Sequence, residues 1–258
     1  CNVAIGLNSM DALTTGIDNI ALGSNALGVS TTTCNSIAIG PSALGGSNTT
    51  GIDNIAIGVQ AADATTTGNS NVVIGRSAAG VSTTGCKNVA IGYYAMGLAD
   101  TTGNDNVAIG STAMDALTTG KWNIAIGLDA YGAATTGCEN IAIGKTAMGA
   151  GVTTGYDNTA IGRKAADALT TGQYNVAMGK DALGASTTGC FNIALGAVAL
   201  GAGVTTGNDN VAIGQNTMDA LTTGACNIAM GISALGTSAT GCYNVAIGSA
   251  ALGVGVVT

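Results

Sequence analysis

The chain has 258 residues, among them 42 Gly, one Pro and no His, with 3 % aromatic and 8 % charged residues. Its formal net charge is −7 with only 7 Lys and Arg, so no basic stripe is available to neutralise phosphates, which argues against a nucleic-acid partner. Without His and with few carboxylates, no catalytic triad, acid–base pair or Cys/His zinc site can be assembled, so no enzymatic role, cofactor or metal is expected.

From its first residues the chain is a repeat. Cys1 is followed by Asn2-Val3-Ala4-Ile5-Gly6, and the closing Gly of this motif returns at 23, 40, 58, 75, 92, 110, 127, 144, 162, 179, 196, 214, 231 and 248. The steps run 17, 17, 18 and then repeat, which sets a 52-residue supercycle on a 17-residue unit. The first slot is Asn in fourteen of fifteen units, Ser36 being the exception; the second is Val or Ile except at Thr159; the third is Ala except at Val73. Alternation of large and small side chains is the period of a β-strand with one packed face. Large residues such as Val3 and Ile5 are expected to point inward, with Asn2 and Ala4 on the opposite side. The Gly ends the strand.

The middle of each unit carries a second small–large pair, followed by a slot that cycles Asp, Gly, Gly. Its Asp residues are Asp11, Asp63, Asp115, Asp167 and Asp219. In the Asp units, as in "MDALTTG" (Met114–Gly120), Met114 and Leu117 lie three apart, the spacing of one helical turn with Gly120 as its C-cap. The tripeptide Thr-Thr-Gly closes twelve units and reads as a turn. Gly, Thr and Asn interrupt the apolar residues every few positions, so nothing approaches the ~18 residues of a spanning helix, and the chain is not expected to cross a membrane.

Short identical strands at fixed spacing predict an all-β fold, a parallel β-solenoid of about fifteen 17/17/18-residue coils. Stacking in register would set Asn on Asn in a ladder through Asn54, Asn71, Asn88, Asn106, Asn123, Asn140 and Asn158. A three-sided β-prism with 52 residues per turn is the alternative. Charge favours the short coil: residues 52 apart, such as the five Asp above, would stack directly in the prism but lie three layers, about 14 Å, apart in the solenoid. The chain opens at Cys1 and ends inside a repeat, so residues 1–258 read as a single repetitive unit, a window of a longer or polymerised fibre.

The unit resembles the head repeats of YadA-type trimeric autotransporter adhesins, whose strands read S-V-A-I-G. It is also similar to the "N-T-A-V-G-Y-x-A-L-x-x-N-T-T-G" repeats of phage tail-fibre and bacterial surface-fibre proteins. The stretch "NTAIG" at Asn158–Gly162, followed by Ala165, Thr170, Thr171 and Gly172, carries the likeness. The resemblance implies a parallel β-solenoid, often trimeric, in an extracellular fibre at a cell or virion surface.

Other candidates belong to the columns. Cys34, Cys86, Cys138, Cys190 and Cys242 are each 52 apart, too distant in the short coil to bond one another. Cys226 and Cys242 are nearly one coil apart and form a candidate disulfide; bonds to another chain, or a role as small buried residues, are the other readings. Asn48 heads the one N-x-[ST] sequon, a candidate glycosylation site. "TGNDN" (Thr102–Asn106) bears a faint likeness to calcium-binding loops, but its Asp recurs only once per supercycle. Adjacent Thr on a strand point to opposite sides, which argues against a flat ice-binding face. The expected function is therefore structural, with the chain itself as partner in a trimer or an end-to-end filament. A binding module for a glycan or cell surface is the alternative.

Overall fold

The computed structural model describes residues 1–253. Two compact units, Cys1–Thr136 and Gly137–Thr258, are taken in turn. The first holds β1 (Val3–Ile5), β2 (Ile20–Leu22), β3 (Ile37–Ile39), β4 (Ile55–Ile57), β5 (Val72–Ile74), β6 (Val89–Ile91), β7 (Val107–Ile109) and β8 (Ile124–Ile126). The second holds β9 (Ile141–Ile143), β10 (Thr159–Ile161), β11 (Val176–Met178), β12 (Ile193–Leu195), β13 (Val211–Ile213), β14 (Ile228–Met230) and β15 (Val245–Ile247). Among the described residues there is no helix.

Within each unit every strand pairs in parallel with the next in sequence, like on like. Val3 lies opposite Ile20 and Ala4 opposite Ala21, a step of 17. Ile37 lies opposite Ile55, a step of 18, so the register is kept and the extra residue falls outside the strand. The partner of each strand is thus one unit away. The short-coil solenoid is the fold, and the prism with 52 residues per turn does not form. Stacking extends round the coil well beyond the three-residue strands: Asn25 N–H donates to Leu7 O (2.9 Å), Met10 N–H to Ala26 O (3.0 Å) and Thr14 N–H to Thr31 O (2.9 Å).

The strand is turned the other way from the sequence expectation. In strands β3 to β7 the central residue is buried and its two neighbours are half-exposed. Ala38, Ala56, Ala90 and Ala108 are fully buried, as are Asn106 and Asn123. Val and Ile therefore face outward, while Asn and Ala face in. The reason is width. A 17-residue coil has a narrow interior, and the strand Ala shares it with a second Ala and a Leu or Met of each unit, such as Ala113, Met114 and Leu117, all fully buried. A column of Ile could not fit there without forcing the coil open. The outward columns shield one another laterally, which is why most are half-exposed and the terminal Val3 and Ile5 more so.

The helical turn expected in the Asp units is also absent. Leu117 N–H does bond Met114 O at 3.2 Å and Leu221 N–H bonds Met218 O at 3.1 Å, the spacing anticipated, but each bond closes an isolated turn, and Met218 enters its turn with φ +53°, outside the helical region. Stacking on the neighbouring coil imposes this conformation: Met218 N–H donates to Ala234 O at 3.0 Å.

The inside-out strand makes a direct prediction. Val107→Thr, on the outward side, should cost less than about 1 kcal/mol, as Thr159 in the equivalent slot suggests. Ala108→Leu, one residue on, should cost about 1–3 kcal/mol or more by overpacking. Urea midpoints of the two variants check it, and equal costs would contradict the orientation.

Candidate functional surfaces

The inward Asn slot forms a ladder. Asn54 Oδ1 accepts the Asn71 backbone N–H (3.0 Å) and its Nδ2–H (3.1 Å), and Asn54 Nδ2 donates to Gly68 O (2.8 Å). Asn71 and Asn88, then Asn88, Asn106 and Asn123, continue it, and in the second unit Asn158 Nδ2 donates to Asn140 Oδ1 at 3.0 Å. Each amide thus satisfies a strand donor of one neighbour and a turn carbonyl, groups that would otherwise be buried without partners. The one exception is compensated. Ser36 Oγ accepts the Asn54 N–H (3.3 Å), and Gly51 O, the carbonyl an Asn at 36 would reach, takes the Thr33 hydroxyl at 2.6 Å. Thr33 stands where most other units have the turn Gly.

The Asp column is a cap on the loops that hold the extra residue. Asp63 follows the 18-residue coil; its main-chain carbonyl accepts the Gly46 N–H at 3.1 Å, and its carboxylate faces the backbone N–H groups of Gly45 and Gly46. The Asp167 carboxylate accepts the Ala150 N–H at 3.1 Å and faces that of Gly149. At Asp219 the main-chain carbonyl serves, accepting from Ala202 (3.2 Å) and Gly203 (2.6 Å). The Asp, Gly, Gly cycle is thus explained by where the eighteenth residue sits. Partial burial raises the pKa of Asp63, Asp115 and Asp167 above the usual carboxylate value, and Asp129 adds to this at Asp115. Asp63 Oδ1 is buried with no hydrogen-bond partner.

A raised folded-state pKa means that ionisation disfavours the fold. This stability is fully present below the unfolded carboxylate value of ~3.9 and is lost as pH rises through the raised values. The melting temperature should therefore be higher at pH 4 than at pH 7, and the difference should shrink in the variant Asp63→Asn/Asp115→Asn/Asp167→Asn. Differential scanning calorimetry at the two pH values decides it; a lower melting temperature at pH 4 would contradict the assignment.

Two shallow cavities lie beside these residues, about 200 Å³ at Gln60, Asp63, Ser77 and Tyr94 and about 220 Å³ at Lys164, Asp167 and Asp181. Neither joins a nucleophile to a base. The described residues include no group of three His, Cys, Asp or Glu able to hold a metal, and no helix long and apolar enough to cross a membrane. At "TGNDN", Asn104 Oδ1 is taken by the Cys86 N–H at 2.8 Å and Asp105 N–H donates to Cys86 O at 3.1 Å.

The Cys column lies on the approach to the strand, two residues before the ladder Asn. Cys34, Cys86, Cys138 and Cys190 are half-buried and Cys242 is exposed. Cys86 and Cys242 Sγ accept backbone N–H groups from Asn69 and Ala225, each at 3.4 Å. No disulfide joins Cys226 to Cys242; both thiols are free. Cys226 occupies the slot that Tyr243, and not Cys242, fills in the next coil, so the two are offset diagonally. Asn48 is exposed, and its Oδ1 accepts the Thr31 N–H (2.9 Å) and hydroxyl (3.1 Å).

Two columns flanking the strands were not singled out from sequence. In the second unit Lys145, Arg163 and Lys180 follow the closing Gly in three successive coils, all exposed. Before the ladder Asn of the same coils stand Glu139, Asp157 and Tyr174. Asp157 beside Glu139 lifts the Glu139 carboxyl above its usual range. Tyr156, Tyr174 and Phe191 form an exposed aromatic row, edge-to-face at 5.3 Å and stacked at 4.8 Å. Alignment at the 17/18 step is the signal that brings these residues together.

No protein-family model, curated protein or solved structure matches the chain.

Proposed function

We propose that the chain is a structural segment of an extracellular fibre, stabilised by in-register stacking and the Asn ladder. The observation that carries this is that the junction between coils is the same at each step within each unit, so one coil of this kind offers the next a matching edge. By the pattern in which Val3 N–H donates to Asn19 O of the following coil, a coil stacked on β15 would accept the Val245 N–H. A further coil of the same protein, or the first coil of a second copy, fits that edge. The likeness to surface-fibre repeats supports the same reading. Electron microscopy of the purified chain should show end-to-end filaments at high concentration. Val245→Pro, which removes that donor without touching β14, should shorten them. Particles of single-chain length at every concentration would overturn the filament.

A second reading, a module that binds a glycan on a cell surface, is favoured by the Tyr156–Tyr174–Phe191 row, whose exposed rings suit the apolar faces of sugars. Glycan-array binding that disappears in Tyr174→Ala/Phe191→Ala would support it, and no binding by the unsubstituted chain would remove it.

A further inference from the structure

The outward face of the second unit is apolar in its middle and oppositely charged along its two edges. Strand β9 contributes Ile141 and Ile143, β10 Thr159 and Ile161, and β11 Val176 and Met178, half-buried except for the exposed Met178, above a buried Ala row. The same outward pairs continue to Val245 and Ile247, which are 62 % and 68 % exposed. On the side where the strands begin stand Glu139 and Asp157; on the side where they end stand Lys145, Arg163 and Lys180. Within each row the charges are alike and one coil apart, an unfavourable arrangement that an opposite row would relieve. Lys145 and Arg163 make no ion pair among the described residues; Lys180 reaches only its neighbour Asp181, at 3.4 Å.

Two copies of such a face can meet in two twofold ways. Rotation about the strand direction sets acidic row on acidic row. Rotation about the stacking direction reverses the strands and sets acidic row on basic row, coil by coil. Only the second is electrostatically complementary, and being twofold it uses the same patch on both copies. We propose that this face is a homodimer interface in which Glu139 and Asp157 of each copy meet Lys145 and Arg163 of the second copy across a central layer of Ile, Val and Met. The size is adequate: seven coils at ~4.8 Å by a six-residue span of about 20 Å give roughly 670 Å² a side, about 1,300 Å² in all, within the range of specific interfaces. Sheets packed face to face stand ~10 Å apart, a gap that opposed Lys and Glu side chains can bridge.

This pairing is lateral and independent of end-to-end stacking, so the test is run in the Val245→Pro background. Analytical ultracentrifugation should show a monomer–dimer equilibrium, with small-angle scattering giving a doubled cross-section at unchanged length. Lys145→Glu/Arg163→Glu and, separately, Glu139→Lys/Asp157→Lys should each raise the dimer dissociation constant at least about tenfold. Glu139, Lys145 and Arg163 are exposed, Asp157 is half-buried, and Lys already occupies the Asp157 slot at Lys87, so circular dichroism and melting should stay unchanged. Mixed in equal amounts, the two variants should dimerise again, because each row then meets its opposite. A monomer at every concentration, a trimer, or reversal variants that associate as tightly as the parent would overturn the proposal. So would a mixture that fails to recover.

Discussion

Gly162→Ala is expected to disrupt the coils on both sides of it and to lower stability by more than about 4 kcal/mol, a loss read from the urea midpoint. Gly162 closes β10 with φ +136°, a region that L-residues rarely enter. A Cβ there would stand 2.5 Å from Gly179 O and 2.7 Å from its carbonyl carbon, both backbone atoms of the next coil. Neither can move without breaking the ladder that holds them, in which Gly179 N–H donates to Ile161 O at 2.9 Å. Gly162 therefore allows the chain to turn out of the strand while the next coil passes at van der Waals contact, and both demands exclude a side chain. Gly132→Ala is the control. Its added Cβ would meet nothing closer than 3.4 Å, and Asp fills that slot in other units, so a change below about 1 kcal/mol is expected. Equal losses at the two positions would show that the conformation, and not mere loss of flexibility, had been misassigned.

The repeat period, the strand slot, the in-register stacking and the short coil were legible because each rests on spacing. Spacing at 17 and 18 residues is also what the pairing obeys, from Val3 opposite Ile20 to Ile37 opposite Ile55. The direction the strand faces was misread because hydrophobicity was weighed ahead of volume. Two exceptions pointed the right way: the outer slot accepts Thr159, and the inner slot accepts nothing larger than Val73. Asn in fourteen of fifteen units is likewise the mark of a buried hydrogen-bonding requirement and not of a solvent-facing one. The single left-handed residues were not legible, since Leu27 and Met218 have no local preference for φ near +50° and adopt it only because the neighbouring coil fixes their N–H groups. The charged rows escaped notice for another reason. Each is made of different residue types in successive coils, so conservation of a letter, which exposed the ladder, could not expose Lys145, Arg163 and Lys180.

The ladder itself gives the second large effect. Asn158→Ala should cost about 3–5 kcal/mol, because it orphans two buried groups at about 1–3 kcal/mol each and opens a small void besides. Those groups are Gly172 O, which accepts from Asn158 Nδ2 at 2.9 Å, and the Asn175 backbone N–H, which donates to Asn158 Oδ1 at 3.0 Å. Asn158→Ser should recover part of this loss. A Ser hydroxyl can take the strand N–H, as Ser36 does for Asn54, but it leaves the turn carbonyl that only Thr33 rescues in the natural exception. Asn158→Asp should be no better than Ala at neutral pH: it keeps the acceptor, sets a carboxylate against the Gly172 carbonyl and buries a charge. Asn2 makes the same two contacts, to Gly16 O and the Asn19 N–H, each at 2.9 Å. Asn2 itself is exposed and both contacts are only part-buried, so water replaces part of what is removed and Asn2→Ala should cost less than Asn158→Ala. Denaturation midpoints for the four variants should therefore rank Asn2→Ala above Asn158→Ser, and Asn158→Ser above Ala and Asp at 158. A loss at Asn2 as large as at Asn158 would mean that the side chain matters through strand propensity, whereas the ranking above requires that burial of the contacts sets the cost.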